Sequence, residues 1–132
     1  MQISLTVEVP IGHRLPAHQG KCKNYHGHNY RVTVRISGAV GADTGMVMDF
    51  SDLKRELKTI LDPFDHAMVL EDGDELIPFL RERAMKYIIF EMPPTAENFA
   101  RHWRSRLVDR LYWDLEKVSV TVQETSDSEA TT

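Results

Sequence analysis

The stretch Cys22-Lys-Asn-Tyr-His26-Gly-His28-Asn-Tyr30 places one thiol four positions before the first of two imidazoles, which are separated by a single glycine. In an extended chain, side chains two apart point to the same face, so His26 and His28 can reach one point from one strand. A third imidazole, His13, lies upstream beyond a loop. Three neutral nitrogens with one position left open describe a catalytic zinc site better than a structural one, in which the protein fills every position. Two readings of the thiol stay open. Cys22, between Lys21 and Lys23, is either a base or nucleophile beside the metal or a fourth ligand that closes the site.

These residues need elements to hold them. Ile3, Leu5, Val7 and Val9 alternate with Ser4, Thr6 and Glu8, which predicts a strand over residues 2–9. The same parity carried past Pro10 reaches Ile11 and His13, so the third imidazole ends that strand's apolar face. After a loop from Arg14 to Asn24, a second strand runs to Ser37, with His26 and His28 in phase with Tyr30, Val32, Val34 and Ile36. Two adjacent strands thus aim three imidazoles at one side of a sheet.

Asp49 or Ser51 caps a helix with apolar positions Phe50, Leu53, Leu57, Ile60 and Leu61, ending before Pro63. Asp62 to His66 reads as a loop, Glu71 to Glu75 as a turn, Leu76 to Met85 as a short helix and Tyr87 to Phe90 as a strand. Pro93-Pro94-Thr95 starts a further helix, with Thr95 as N-cap, Glu97 in the first turn, and Phe99, Ala100, Trp103 and Leu107 as its buried stripe. A last strand begins at Lys117, and Glu124 continues the parity of Val118, Val120 and Val122. From Thr125 onward the small polar tail is expected to fray. The pattern predicts one α+β domain over residues 1–132 with an antiparallel sheet.

The chain has 132 residues, 42% hydrophobic and 27% charged, which fits one globular domain. No apolar run approaches the ~20 residues of a membrane helix and no secretory signal opens the chain, so a soluble cytoplasmic protein is expected. A single cysteine excludes an intrachain disulfide. The net charge of −4 conceals a window between Glu8 and Asp43 that holds Arg14, Lys21, Lys23, Arg31 and Arg35 and no acid. Such a window suits a small anion such as a phosphate ester. It is too short, and too poor in interleaved aromatics, for a nucleic-acid platform. Asp65-His66 is a carboxylate beside an imidazole, of interest only if the fold carries it to the zinc. Glu124 is either a rim residue or a buried acid awaiting donors. His18 and His102 read as ordinary polar residues, the latter on an exposed helix face.

Several motifs in one order carry a resemblance. His13-Arg-Leu-Pro16, Cys22-x-x-x-His26-Gly-His28-Asn-Tyr30, Gly45-Met-Val-Met-Asp-Phe50 with Asp52-Leu-Lys54, Leu61 through Asp65-His66, Pro94-Thr-Ala-Glu-Asn98 and Glu124-Thr125 resemble the 6-pyruvoyl-tetrahydropterin and 6-carboxytetrahydropterin synthase family. The resemblance implies a tunnelling fold, with two main helices on one face of the sheet. It also implies homo-oligomers, trimers or hexamers, that close the sheets into a barrel with active sites between subunits. It assigns zinc to His13, His26 and His28, the general base to Cys22, and a second proton-transfer group to Asp65 and His66. Glu124 would grip the pterin ring, and Thr95 and Glu97 align with pterin-pocket positions, although each also has a helix-capping explanation. The three-residue spacer between Cys22 and His26 is similar to the carboxy branch of deazapurine (queuosine) synthesis, whereas the pyruvoyl branch has a longer one. The implied reaction converts 7,8-dihydroneopterin triphosphate to 6-carboxy-5,6,7,8-tetrahydropterin, acetaldehyde and triphosphate, with the acid-free window facing the triphosphate. A pyruvoyl-type synthase and a non-catalytic zinc or pterin-binding module are the alternatives.

Overall fold

The register of two long strands governs the architecture. In the computed structural model, which describes residues 1–111 and 117–132, β1 (Gln2–His13) and β2 (His26–Ser37) form an antiparallel ladder. It pairs Gln2 with Ser37 at one end and His13 with His26 at the other, without a slip. Pro10 does not break the alternation, so Val9, Ile11 and His13 are all buried on one face. Gly12 and Gly27 pair across the ladder, and a β-carbon on Gly27 would lie 3.0 Å from the Ile11 carbonyl oxygen. Close strand approach therefore favours glycine between the two imidazoles.

The remaining elements are α1 (Phe50–Leu61), β3 (Ala67–Glu71), α2 (Ile77–Glu82), β4 (Tyr87–Phe90), α3 (Ala96–Arg110), β5 (Lys117–Thr125) and β6 (Ser128–Thr131). The sheet runs β4-β3-β1-β2-β5-β6. Asp49 caps α1 by accepting from the Ser51 N–H at 2.6 Å, and Thr95 caps α3 by accepting from the Asn98 N–H at 3.3 Å. Leu53 and Leu57 of α1 join Phe99, Trp103 and Leu107 of α3 in one core against the apolar face of β1, β2 and β5. Phe99 and Trp103 stack with ring centroids 5.0 Å apart. Phe50, in phase with the α1 stripe, is nevertheless 52% exposed at the helix start.

Three expectations need correcting. The sheet is antiparallel through β1, β2, β5 and β6, but β3 pairs in parallel with both β1 and β4. The return through α2 sets β4 parallel to β3, whereas α1 carries the chain from β2 past β1, so β3 runs opposite to β2 and therefore parallel to β1. β3 itself was hidden in the sequence because Val69 and Leu70 are both fully buried, on opposite faces, so no alternation marks the run. Leu70 packs with Ile77 and Leu80, which puts short α2 on the face opposite α1 and α3.

The tail is the second correction. Residues 128–131 do not fray but form β6 on the edge of β5. The Thr132 N–H donates to the Val120 carbonyl at 3.0 Å, and the Thr121 and Thr131 hydroxyls share a bond at 2.8 Å. Backbone pairing needs no apolar side chain, and Asp127 secures the turn by accepting from the Thr125 and Ser128 hydroxyls.

His102 is the third. It is half-buried, edge-on to Phe64 and Phe90, with ring centroids 5.8 and 5.3 Å away. Burial, then the charge of Arg106, lowers its pKa from the ordinary 6.5, with Glu91 opposing. A lowered folded pKa means the unfolded chain binds the proton more readily, so stability is complete above about pH 6.5 and declines as pH falls below it. His102→Gln should flatten the dependence of Tm on pH between about 5 and 7. Thermal melts of both proteins across that range provide the check.

Candidate active site

The ladder brings His13, at the end of β1, opposite His26, at the start of β2, with His28 two residues on. Ring centroids lie 4.5 Å apart for His13 and His26, 5.0 Å for His26 and His28, and 5.3 Å for His13 and His28. One nitrogen from each ring falls within 4.8 Å of the others. Among the described residues this converging set contains neither the Cys22 sulfur nor a carboxylate oxygen. That geometry favours three protein ligands with an open position over a closed four-ligand site.

Backbone carbonyls orient two of the rings. His13 Nδ1 bonds to the Pro94 carbonyl at 2.7 Å, and His26 Nδ1 to the Asn24 carbonyl at 2.8 Å. With Nδ1 as donor in each, Nε2 carries the free lone pair a metal requires. His28 Nε2 is buried without a hydrogen-bond partner, although Glu124 Oε1 lies 3.4 Å away, outside good alignment. A buried imidazole nitrogen left in that state is costly, and a cation at the centre of the triad would satisfy it. Burial lowers the pKa of His13, partly offset by the Pro94 carbonyl and Glu124 and reinforced by the two other imidazoles. Burial also lowers that of His28. Neutral rings are the form that ligates, so the donor set fits zinc.

Tyr30, which strand parity placed on the apolar face without assigning it a role, is part of the site. Its buried hydroxyl donates to Glu124 Oε2 at 3.0 Å and lies 3.2 Å from His13 Nε2. A phenol has one proton, so donation to Glu124 leaves the His13 lone pair available. Burial, then the charge and hydrogen bond of Glu124, then the charge of Cys22, push the Tyr30 pKa well above its usual value, keeping the donor protonated. Glu124 sits at an irregularity in the β5–β6 pairing between Gln123 and Thr125. Bulges of this kind re-aim side chains beside active sites.

Cys22 is half-buried in a single 3-10 turn, Lys21–Lys23, with both lysines exposed. Its carbonyl accepts from the Leu15 N–H at 2.8 Å, folding the loop back on itself. Thr95, Glu97 and Glu124 line one cavity of about 290 Å³ with Leu15, Ser128 and Glu129. The structure therefore brings the three expected pterin-pocket residues together, even though Thr95 also caps α3.

Asp65 and His66 are placed elsewhere. Their side chains bond at 2.8 Å, and His66 lines a groove of about 520 Å³ with Pro10, Ile11, Gly12, Gly27, His28 and Asn29. Pro10, Gly12, Gly27 and Asn29 alternate with the triad positions, so the groove lies largely on the opposite face of the sheet, with Ile11 and His28 at its border. Among the described residues the pair makes no hydrogen bond to the imidazoles and stands outside their converging set. His66 adopts φ 56°, its N–H donates to the Pro10 carbonyl, and Lys86 Nζ bonds the Asp62 and Asp65 carbonyls at 2.8 and 2.7 Å. The basic window also divides between faces. Arg31 and Arg35 alternate with the triad positions of β2, and Arg14 is bound to Asp74 and Glu75, so these three arginines do not turn their charge on the triad. His18 is exposed, its Nδ1 accepting from the Gly20 N–H.

Residues 2–132 match the family described as 6-pyruvoyl tetrahydropterin synthase. A probable 6-carboxy-5,6,7,8-tetrahydropterin synthase from Halobacterium salinarum is 39% identical over 121 residues, covering 90% of this chain and 77% of that protein. The 6-carboxy-5,6,7,8-tetrahydropterin synthase of Haemophilus influenzae is 40% identical over 114 residues, covering 80% and 81%. The solved 6-pyruvoyl tetrahydropterin synthase of Caenorhabditis elegans superposes with a TM-score of 0.75 at 27% identity, over 100% of this chain and 94% of that one. The Plasmodium vivax enzyme gives 0.77 at 20% identity, over 100% and 97%, a likeness of fold alone. The expected tunnelling fold is thus borne out for the protomer, and the chain belongs to the 6-pyruvoyl tetrahydropterin synthase family.

Proposed function

We propose that this protein converts 7,8-dihydroneopterin triphosphate and water to 6-carboxy-5,6,7,8-tetrahydropterin, acetaldehyde and triphosphate, with zinc held by His13, His26 and His28. The observation that carries the reading is the convergence of three imidazole nitrogens in a set that excludes the only thiol. The names of the relatives and the short spacer between Cys22 and His26 favour the carboxy product over the pyruvoyl one. A product of this kind suits deazapurine (queuosine) synthesis.

When bound, zinc supplies Lewis-acid polarisation of a substrate oxygen. Glu124, held by Tyr30, accepts from the amino and ring N–H donors of the pterin. Cys22 removes a proton from the substrate side chain as general base. Asp65 accepts from His66 Nδ1, which fixes that ring's tautomer and leaves Nε2 to exchange protons. Because His66 opens on the other face of its own sheet, it serves the triad of a neighbouring copy, and the working form is a homo-oligomer. The exposed Lys21 and Lys23 offer charge to the triphosphate.

Zinc-loaded protein given 7,8-dihydroneopterin triphosphate should yield the 6-carboxy product and acetaldehyde by mass spectrometry. A pyruvoyl product would redirect the assignment, and no turnover would sink it. Cys22→Ala should keep zinc, measured by elemental analysis, while kcat falls by about 10²-fold or more. Loss of zinc together with the sulfur would instead make Cys22 a ligand. His26→Ala should lower zinc affinity by at least about tenfold in a competitive chelator titration, because two imidazoles then remain.

A further inference from the structure

The loop between the first two metal-binding positions, residues 14–25, carries Cys22 and, among the described residues, is anchored outside β1 and β2 by two adjacent acids. Its backbone bonds are internal, from Leu15 to Cys22, His18 to Leu15, Lys23 to Gly20 and Asn24 to Lys21. Among the described residues, every hydrogen bond from this loop to a part of the chain outside β1 and β2 ends on Asp74 or Glu75. Arg14 Nε donates to Asp74 Oδ2 at 2.7 Å, and the Tyr25 hydroxyl donates to Asp74 Oδ1 at 2.8 Å. These are the first and last residues of the loop. They also touch each other, with the Arg14 guanidinium 4.4 Å from the centre of the Tyr25 ring.

The Asp74 side chain is 0% exposed. Burial alone would raise its pKa, but the Leu76 N–H, Arg14 and Tyr25 hold the carboxyl below its ordinary range. Burial, then the bond to Asp74, pushes Tyr25 up to about 12. The carboxylate is therefore ionised and fully partnered across the working pH range, the condition under which a buried charge orders its surroundings.

We propose that Asp74 is a positioning residue, a clamp that fixes the Cys22-bearing loop over the metal centre through Arg14 and Tyr25. The three imidazoles do not depend on it, because the strand ladder sets their register. Loss of the clamp should thus separate two properties that a general loss of structure would move together. The metal stays, and the thiol loses its place. A misplacement of about 1 Å of a reacting group costs on the order of 10²-fold in rate.

The test compares zinc-loaded wild type, Asp74→Ala and Tyr25→Phe in zinc content, kcat, KM and the rate of Cys22 alkylation by iodoacetamide. Tyr25→Phe keeps the ring beneath Arg14 and the Asp74 bond to the Leu76 N–H, so it spares α2. Asp74→Ala should keep its zinc, lose about tenfold or more in kcat with a much smaller change in KM, and be alkylated several-fold faster as the half-buried sulfur becomes mobile. Tyr25→Phe should move kcat and alkylation in the same directions by less. Rates in Tyr25→Phe within about twofold of wild type would overturn the clamp, whether or not Asp74→Ala folds. So would zinc lost in proportion to activity. The kinetic arm rests on the proposed reaction, whereas alkylation does not. If wild type fails to turn over the pterin, that reading fails and the alkylation rates still decide the clamp.

Discussion

The pairing of β1 with β2 is the constraint on which the candidate site depends. Side chains on a strand repeat every second residue, so a slip of one position would send His13 to the opposite face from His26 and His28. The burial of Val9 and Ile11 with Tyr30 and Val32 penalises any such slip, because it would turn the whole apolar set toward solvent. Core packing and ligand placement are consequently one decision made twice. The hydrophobic face that the helices cover ends in the imidazoles, and no separate device is needed to bring them together.

Electrostatics then complete what register begins. The Pro94 carbonyl, just before the α3 cap, receives the His13 Nδ1 proton, so the same turn that starts a helix also selects a tautomer. Tyr30 couples Glu124 to the triad through one hydroxyl. The acid is held beside the three imidazoles without joining their converging set. Preorganised dipoles of this kind act before any substrate arrives.

Much of this was legible in the sequence where a periodic signal existed. The alternation through Pro10 located His13, and helical spacing located Leu53, Leu57, Phe99 and Trp103. The α3 cap could be read from Thr95, whereas the α1 cap was narrowed only to Asp49 or Ser51, of which Asp49 holds the role. The signal failed where burial is two-sided, as in β3, and where pairing rests on backbone and threonine hydroxyls, as in β6. It failed for His102 because the aromatic walls around it come from β4 and the segment after α1, far away in sequence. Asp74 showed locally only as a turn residue bonding the Leu76 N–H, since its other partners, Arg14 and Tyr25, lie across the fold. The carbonyls of Pro94 and Asn24 belong to the same class, being roles of the main chain that residue identity does not encode.

The left-handed backbone at His66 has an evolutionary consequence. Bulky and β-branched residues are strained at φ 56°, while histidine, asparagine and aspartate are among the few side chains that tolerate it. Glycine would relax the turn but abolish the imidazole, and asparagine or aspartate would fit yet offer no ring nitrogen for the proposed proton exchange. If the proposed reaction holds, the position is closed from two directions, by conformation and by acid–base chemistry, and drift there has almost nowhere to go.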